Sequence, residues 1–166
     1  TLDMKKILIT SVLLFFGLHM FAQEKGQTYT SELGKFSMIS FGEVTEDVRN
    51  DKTSTSYRAA YRNKEMLFVL SSSLEQNKPK RVSDLLNASI LNFKTALKGT
   101  VVQQKRIKEN NMNGIYALPN LSNGVMVEYK VFYKELYLYQ VMVFAKKEKY
   151  KKEVAETFFK SFAITK

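Results

Sequence analysis

The chain has no cysteine, one histidine, two prolines and seven glycines in 166 residues. Without cysteine it has no disulfide and no thiolate, so its apolar core must hold the fold unaided. The histidine, His19, falls inside an N-terminal apolar segment that reads as a removable signal. The rest of the chain lacks both residue types most used for nucleophilic catalysis and proton shuttling. A serine nucleophile needs a base beside it, and neither a histidine nor a Ser-x-x-Lys spacing supplies one. Zinc, iron or copper sites built on Cys and His are excluded by composition. No glycine-rich phosphate loop and no dinucleotide fingerprint occurs. Scarce proline and glycine, with aromatics at 13%, argue for a packed domain and against disorder.

The N-terminus carries the clearest address. Lys5 and Lys6 precede an apolar run from Ile7 to Phe16, and Ala22-Gln23 ends the segment before the polar Glu24-Lys25-Gly26. A basic start, an apolar middle and a small residue at the cut are the parts of a secretory signal peptide. An uncleaved anchor would need about 20 consecutive apolar residues, and this run is interrupted by Thr10, Ser11, Gly17 and His19. The expected organisation is an upstream extension plus signal peptide over residues 1–23 and a single domain over residues 24–166. The product is expected to be exported, periplasmic or extracellular. It is not expected to be lipid-anchored, because no cysteine stands after the cut. No transmembrane span is expected once the signal is removed.

Removing Lys5, Lys6 and Asp3 from the 26 basic and 16 acidic residues leaves 24 and 15, a net charge of about +9. This charge has two readings. One is an anionic partner, such as phospholipid or an acidic envelope polymer. The other is solubility, with lysines spread over exposed faces. The arginines are Arg49, Arg58, Arg62, Arg81 and Arg106. Planar phosphate recognition favours arginine over lysine, so nucleic acid is not the expected partner.

Tyr29–Ser31 and Lys35–Phe41 read as two strands around the turn Glu32-Leu33-Gly34. Residues 43–55 lack an apolar period and read as a surface loop. Ser56–Arg62 sets Tyr57, Ala59 and Tyr61 against Arg58, Ala60 and Arg62, and after Asn63-Lys64 the run Met66–Leu70 completes a hairpin. Ser71-Ser72-Ser73 reads as a strand end turning into a loop. Val82–Lys98 predicts a helix, with Val82, Leu85, Leu86, Ile90, Phe93, Ala96 and Leu97 on one stripe. Ser83 or Asp84 can cap its start and Gly99 can end it. Further strands are expected at Val101–Lys108 and Gly114–Leu118, joined through Asn110-Asn111-Met112-Asn113, with hairpin signals at Asn113-Gly114 and Asn123-Gly124. Val125–Tyr133 alternates cleanly, whereas Leu136–Ala145 is apolar on both faces and must be covered on both. The short connection at Lys134-Glu135 makes those two strands antiparallel. A second helix is expected over 149–160, with Tyr150, Val154, Phe158 and Phe159 inward and Phe162 continuing the stripe. The predicted fold class is α+β: an antiparallel sheet of six or seven strands between helical layers, an α/β/α sandwich.

Three segments carry a resemblance. Tyr29 to Ser37 resembles the opening hairpin of the PsbP-like superfamily, with its "Lys-Phe-Ser" strand. Leu136-Tyr137-Leu138-Tyr139-Gln140-Val141 is similar to that family's central strand, and Phe158-Phe159-Lys160-Ser161-Phe162 to its closing helix. The resemblance covers residues 28–164. It departs in the loop Ser40-Phe41-Gly42-Glu43, where the family often has proline. That family includes the extrinsic subunit of the photosynthetic oxygen-evolving complex and a Ran-binding nuclear import factor, so the resemblance implies a fold and no single function. The Phe-Ala-Gln ending of the signal also resembles export signals of the Bacteroidetes type.

No catalytic residue, cofactor site or metal site emerges. Glu43, Glu46, Asp47 and Asp51 cluster in the segment read as a loop. Paired carboxylates can hydrolyse glycosides, but the spacing lacks the alternating Asp/Asn pattern and central glycine of a calcium loop. Tyr129, Tyr133, Tyr137 and Tyr139 read either as a stacking platform or as core packing. Lys146, Lys147, Lys149, Lys151 and Lys152 are the densest charge run and the candidate anion-contact surface; ammonium groups there oppose the dipole of the helix they precede. The expected function is a non-enzymatic extracytoplasmic binding or accessory domain for an envelope protein or small ligand. The alternative is a binder of anionic envelope polymer or membrane surface through those lysines, with a carboxylate-only hydrolase further behind. The helix stripe can be checked directly. Phe93→Asp should lower the denaturation midpoint well below that of Asn92→Asp, and equal midpoints would mean the helix faces the other way.

Overall fold

The computed structural model describes residues 26–121 and 123–166; the expected signal peptide, residues 1–23, lies outside them. The described chain runs β1 (Gln27–Ser31), β2 (Phe36–Ser40), β3 (Thr45–Asn50), β4 (Ser54–Asn63), β5 (Met66–Glu75), α1 (Val82–Leu97), β6 (Thr100–Glu109), β7 (Met112–Asn120), β8 (Val125–Lys134), β9 (Tyr137–Lys146), α2 (Lys152–Ser161) and β10 (Ala163–Ile164). Seven strands form one sheet in the order β3-β4-β5-β9-β8-β7-β6, and β1, β2 and β10 form a small second sheet. Every pairing is antiparallel.

The register assigns each side chain to a face, because the side-chain period of a strand is two. Tyr139, Val141, Val143 and Ala145 of β9 lie opposite Ser72, Leu70, Phe68 and Met66 of β5. These residues look toward α2 and the small sheet, where Phe36, Met38, Ala155, Phe158, Phe159 and Phe162 close a single core. Tyr61, Phe68 and Phe158 meet there ring to ring, with centroids 4.8 to 6.0 Å apart. The other face carries Ile115, Ala117, Tyr129, Val131 and Leu138, and these pack under Leu86 and Ile90 of α1. The two helices therefore cover opposite faces.

Several expectations are corrected. Among the described residues the expected helical layers reduce to one helix on each face: α1 packs on one, and α2 shares the other with the three-stranded sheet, which helps bury the aromatic core. The opening two strands belong to the small sheet, and the edge of the large one is β3, inside the segment expected to be a loop. An edge strand has polar residues on both sides because half of it stays wet, so it shows no apolar period. Ser71-Ser72-Ser73 is mid-strand in β5, not a strand end. Helix α1 keeps its expected stripe, yet only Leu86, Ser89 and Ile90 are buried and Ala96 is exposed. Neither Ser83 nor Asp84 caps it, and Lys98, not Gly99, takes the left-handed turn at its end. Space at Gly99 is tight: a Cβ there would stand 2.6 Å from the tip of the Leu121 side chain and 3.1 Å from the Asn120 carbonyl oxygen.

The β6–β7 turn takes only the first half of the expected Asn110–Asn113 connection. Its left-handed residues are Asn110 and Asn111, at φ 51° and 59°, as a two-residue hairpin turn requires. Asn113-Gly114 lies within β7. At Gly114 a Cβ would stand 2.5 Å from both the Phe132 ring and the Val131 carbonyl oxygen, so glycine lets β7 and β8 approach beneath that ring. Gly124, by contrast, has φ +73° and open space around it, which suits a turn. Gly114→Ala should cost about 1–3 kcal/mol of stability through overpacking, measured by denaturant unfolding. Gly124→Asn should be close to neutral, since asparagine tolerates the left-handed region.

Candidate functional site

Helix α1 covers only the β7–β8–β9 part of its face. Beyond it, toward the β3 edge, one end of the same face carries a group of polar side chains. Arg58 and Ser56 of β4, Ser71 and Ser73 of β5, Asp47 and Arg49 of β3 and Gln140 of β9 line a cleft of about 200 Å³. Their convergence follows from the register: Asp47 pairs with Arg58, Arg49 with Ser56, Ser56 with Ser73, Arg58 with Ser71, and Ser71 with Gln140. Each pair places two side chains side by side on one face.

The cleft is internally braced. Arg58 grips Asp47 with two bonds, Nε to Oδ1 at 2.7 Å and Nη2 to Oδ2 at 3.2 Å. Arg49 Nε donates to the same Oδ2 at 3.2 Å. Two guanidinium groups thus share one carboxylate. The Asp47 carboxyl is held below its ordinary value, first by the Arg58 hydrogen bond and further by the charges of Arg58 and Arg49, against partial desolvation. The Ser56 and Ser73 hydroxyls bond each other at 2.8 Å. Tyr129 Oη donates to Gln140 Oε1 at 2.8 Å, and the Tyr129 ring is itself clamped against Phe93 with centroids 4.0 Å apart. The Gln140 amide nitrogen is therefore the part left to serve the cleft. Ser71, 8% exposed, forms the floor.

Neighbouring residues of these strands go elsewhere. Ser72, on the opposite face, is fully buried and donates to the Gly34 carbonyl at 2.7 Å, which pins the β1–β2 turn to the sheet. Glu46 likewise turns away from Asp47 and accepts hydrogen bonds from Tyr29 Oη and Ser31 Oγ, tying β3 to the small sheet. The acids that cluster in sequence are thus split between two faces and do not converge. Among the described residues no group of three or more His, Cys, Asp or Glu side chains is placed to hold a metal ion.

The four tyrosines are not a platform. Tyr129 is buried on the α1 face, with Tyr133 further along it; Tyr137 and Tyr139 lie on the other, stacked on each other at 5.8 Å. The candidate lysines occupy the connection between β9 and α2, all exposed. Lys146 ends the strand, Lys147 and Lys149 belong to a short 3₁₀ turn, and Lys151 and Lys152 start the helix. Lys149 lies 3.1 Å from Glu65 and Lys152 3.8 Å from Glu156. None of the five lines the cleft. The cleft residues were missed because they are distant in sequence. Two signals pointed at them: the polar Ser56-x-Arg58 side of β4, and Gln140 as a lone amide inside an apolar strand.

An α+β domain with this sheet order defines a fold, and comparison with solved structures identifies it. The structure is similar to that of cyanobacterial PsbP (CyanoP) from Synechocystis sp. PCC 6803, with TM-score 0.59 and 8% identity over 87% of this chain and 95% of that one. The fold is thus PsbP-like. Weaker similarities reach a protein of unknown function from Pseudomonas aeruginosa described as a putative regulator (PA94), at TM-score 0.44, 8% identity and 74% and 84% coverage. A Bacteroides thetaiotaomicron structure matches at 0.45, 10% identity and 86% and 49% coverage. No protein-family model and no curated protein sequence matches the chain.

The lowered Asp47 value has a sign that can be checked. A carboxyl depressed in the folded state stabilises the fold above its unfolded value of about 3.9 and loses that contribution as pH falls through the folded value. Wild-type protein should therefore lose more stability than Asp47→Asn on acidification from about pH 5 to about pH 2, followed by chemical denaturation at each pH. Parallel curves would mean that the Asp47–Arg58 pair is not formed in solution.

Proposed function

We propose that this chain is an exported bacterial domain of PsbP-like fold, of Bacteroidetes type, that works by binding rather than by catalysis. Its partner would be an envelope protein or a small ligand. The reading rests on one observation: part of one sheet face lies beyond α1 and holds a braced polar cleft around Ser71, Arg58 and Gln140. Polar side chains on a central sheet face are costly unless they are paired or kept in contact with water. Here they are held rigidly in place by Asp47 and Tyr129, which is how a recognition surface is preorganised. The cleft offers hydroxyl, amide and guanidinium groups, a set suited to hydrogen bonding a partner.

The lysines of the β9–α2 connection supply the competing surface, and two variants separate them. Ser73→Trp fills the cleft from its half-exposed side, while Lys149→Glu with Lys151→Glu reverses charge on the connection. Immobilised mature domain is exposed to envelope extract of the source cell, and the retained species are compared across the three forms. The cleft reading expects at least a tenfold loss of a saturable species with Ser73→Trp, at unchanged melting temperature, and none with the lysine double variant. The reverse pattern, with retention on an anionic matrix falling steeply as salt rises, would overturn it in favour of an anionic polymer. Identical retention by all three forms would remove both.

A further inference from the structure

Resting on the reading of the cleft as a binding site, we propose that its ligand is a hydroxylated monocarboxylate of single-ring size, a sugar acid in chemical class. Charge comes first. Two guanidiniums and one carboxylate give the cleft walls a net charge of +1, which matches a monoanion better than a dianion such as a phosphate monoester. Arg49 uses only Nε on Asp47, which leaves both terminal nitrogens as an end-on fork, the geometry that grips a carboxylate with two parallel bonds. Arg58 is fixed by its own two bonds to Asp47 and adds charge without swinging.

The rest of the lining is neutral. Ser56, Ser71, Ser73 and Gln140 offer hydroxyl and amide groups, each able to meet a ligand hydroxyl. Ser71 forms the floor on which such a ligand would rest. It is 8% exposed and faces the cleft from beneath. Size sets the last limit. A cavity of roughly 150 Å³ accommodates one six-membered ring, and this cleft holds about 200 Å³. One ring with a carboxylate fits, and the open side allows that ring to be the end of a longer chain.

The test is a titration of the folded mature domain followed by backbone amide chemical shifts. The probes are sodium glucuronate, glucose and inorganic phosphate, with wild type, Arg49→Gln and Arg58→Gln. Glucuronate should shift amides around Ser56, Arg58, Ser71, Ser73 and Gln140, and each arginine variant should weaken it at least tenfold, as loss of a charge-assisted bond does. Glucose should bind at least tenfold more weakly than glucuronate. The proposal is overturned if glucose and glucuronate bind alike, if phosphate binds as tightly as glucuronate, if the shifts centre on Lys146–Lys152, or if glucuronate shifts nothing. The last result, together with loss of the retained partner in Ser73→Trp, would remove the sugar acid and leave the cleft as a binding site.

Discussion

Strand β9 is the constraint on which the rest of the molecule depends. It lies in the middle of the large sheet, paired with β5 on one side and β8 on the other. Tyr139, Val141, Val143 and Ala145 are buried on one face and Leu138 on the other. A strand buried on both sides must have every backbone donor and acceptor paired, because water cannot reach them. That requirement fixes both neighbours, and the two apolar faces then demand cover. Helix α2 and the small sheet answer one demand and α1 part of the other.

Gln140 is where β9 departs from this rule, and the candidate site arises from the departure. An amide in mid-strand would be costly under a helix, so the face opens there. Its oxygen is satisfied by Tyr129, and beside it the sheet continues as Ser71, Arg58 and Asp47. Tyr129 joins the covered and uncovered parts: its ring packs on Phe93 of α1 and its hydroxyl steadies the cleft. Fold stability and site geometry share that residue.

A PsbP-like fold does not carry a function with it. The similarity to cyanobacterial PsbP spans nearly the whole of both chains at 8% identity. Agreement at that level reflects a shared way of covering a sheet, with almost no side chain held in common. The functional proposals therefore stand on the chemistry of the cleft.

What the sequence by itself determined was local and periodic. The two-sided apolar run of β9, the alternation of β8, the stripe of α1 and the inward phenylalanines of α2 are all legible, because burial imposes periods of 2 and 3.6 on neighbouring residues. Only the tertiary structure decided three other matters. It placed the turn at Asn110-Asn111 and left Asn113-Gly114 inside β7, since the glycine is needed under Phe132. It made an edge strand of residues 45–50, whose polar pattern is indistinguishable from a loop until β4 lies beside it. It also gathered Asp47, Arg58, Ser71 and Gln140, spread over 94 positions from first to last, onto one patch that α1 does not cover. No spacing rule links residues whose proximity arises only when four strands align.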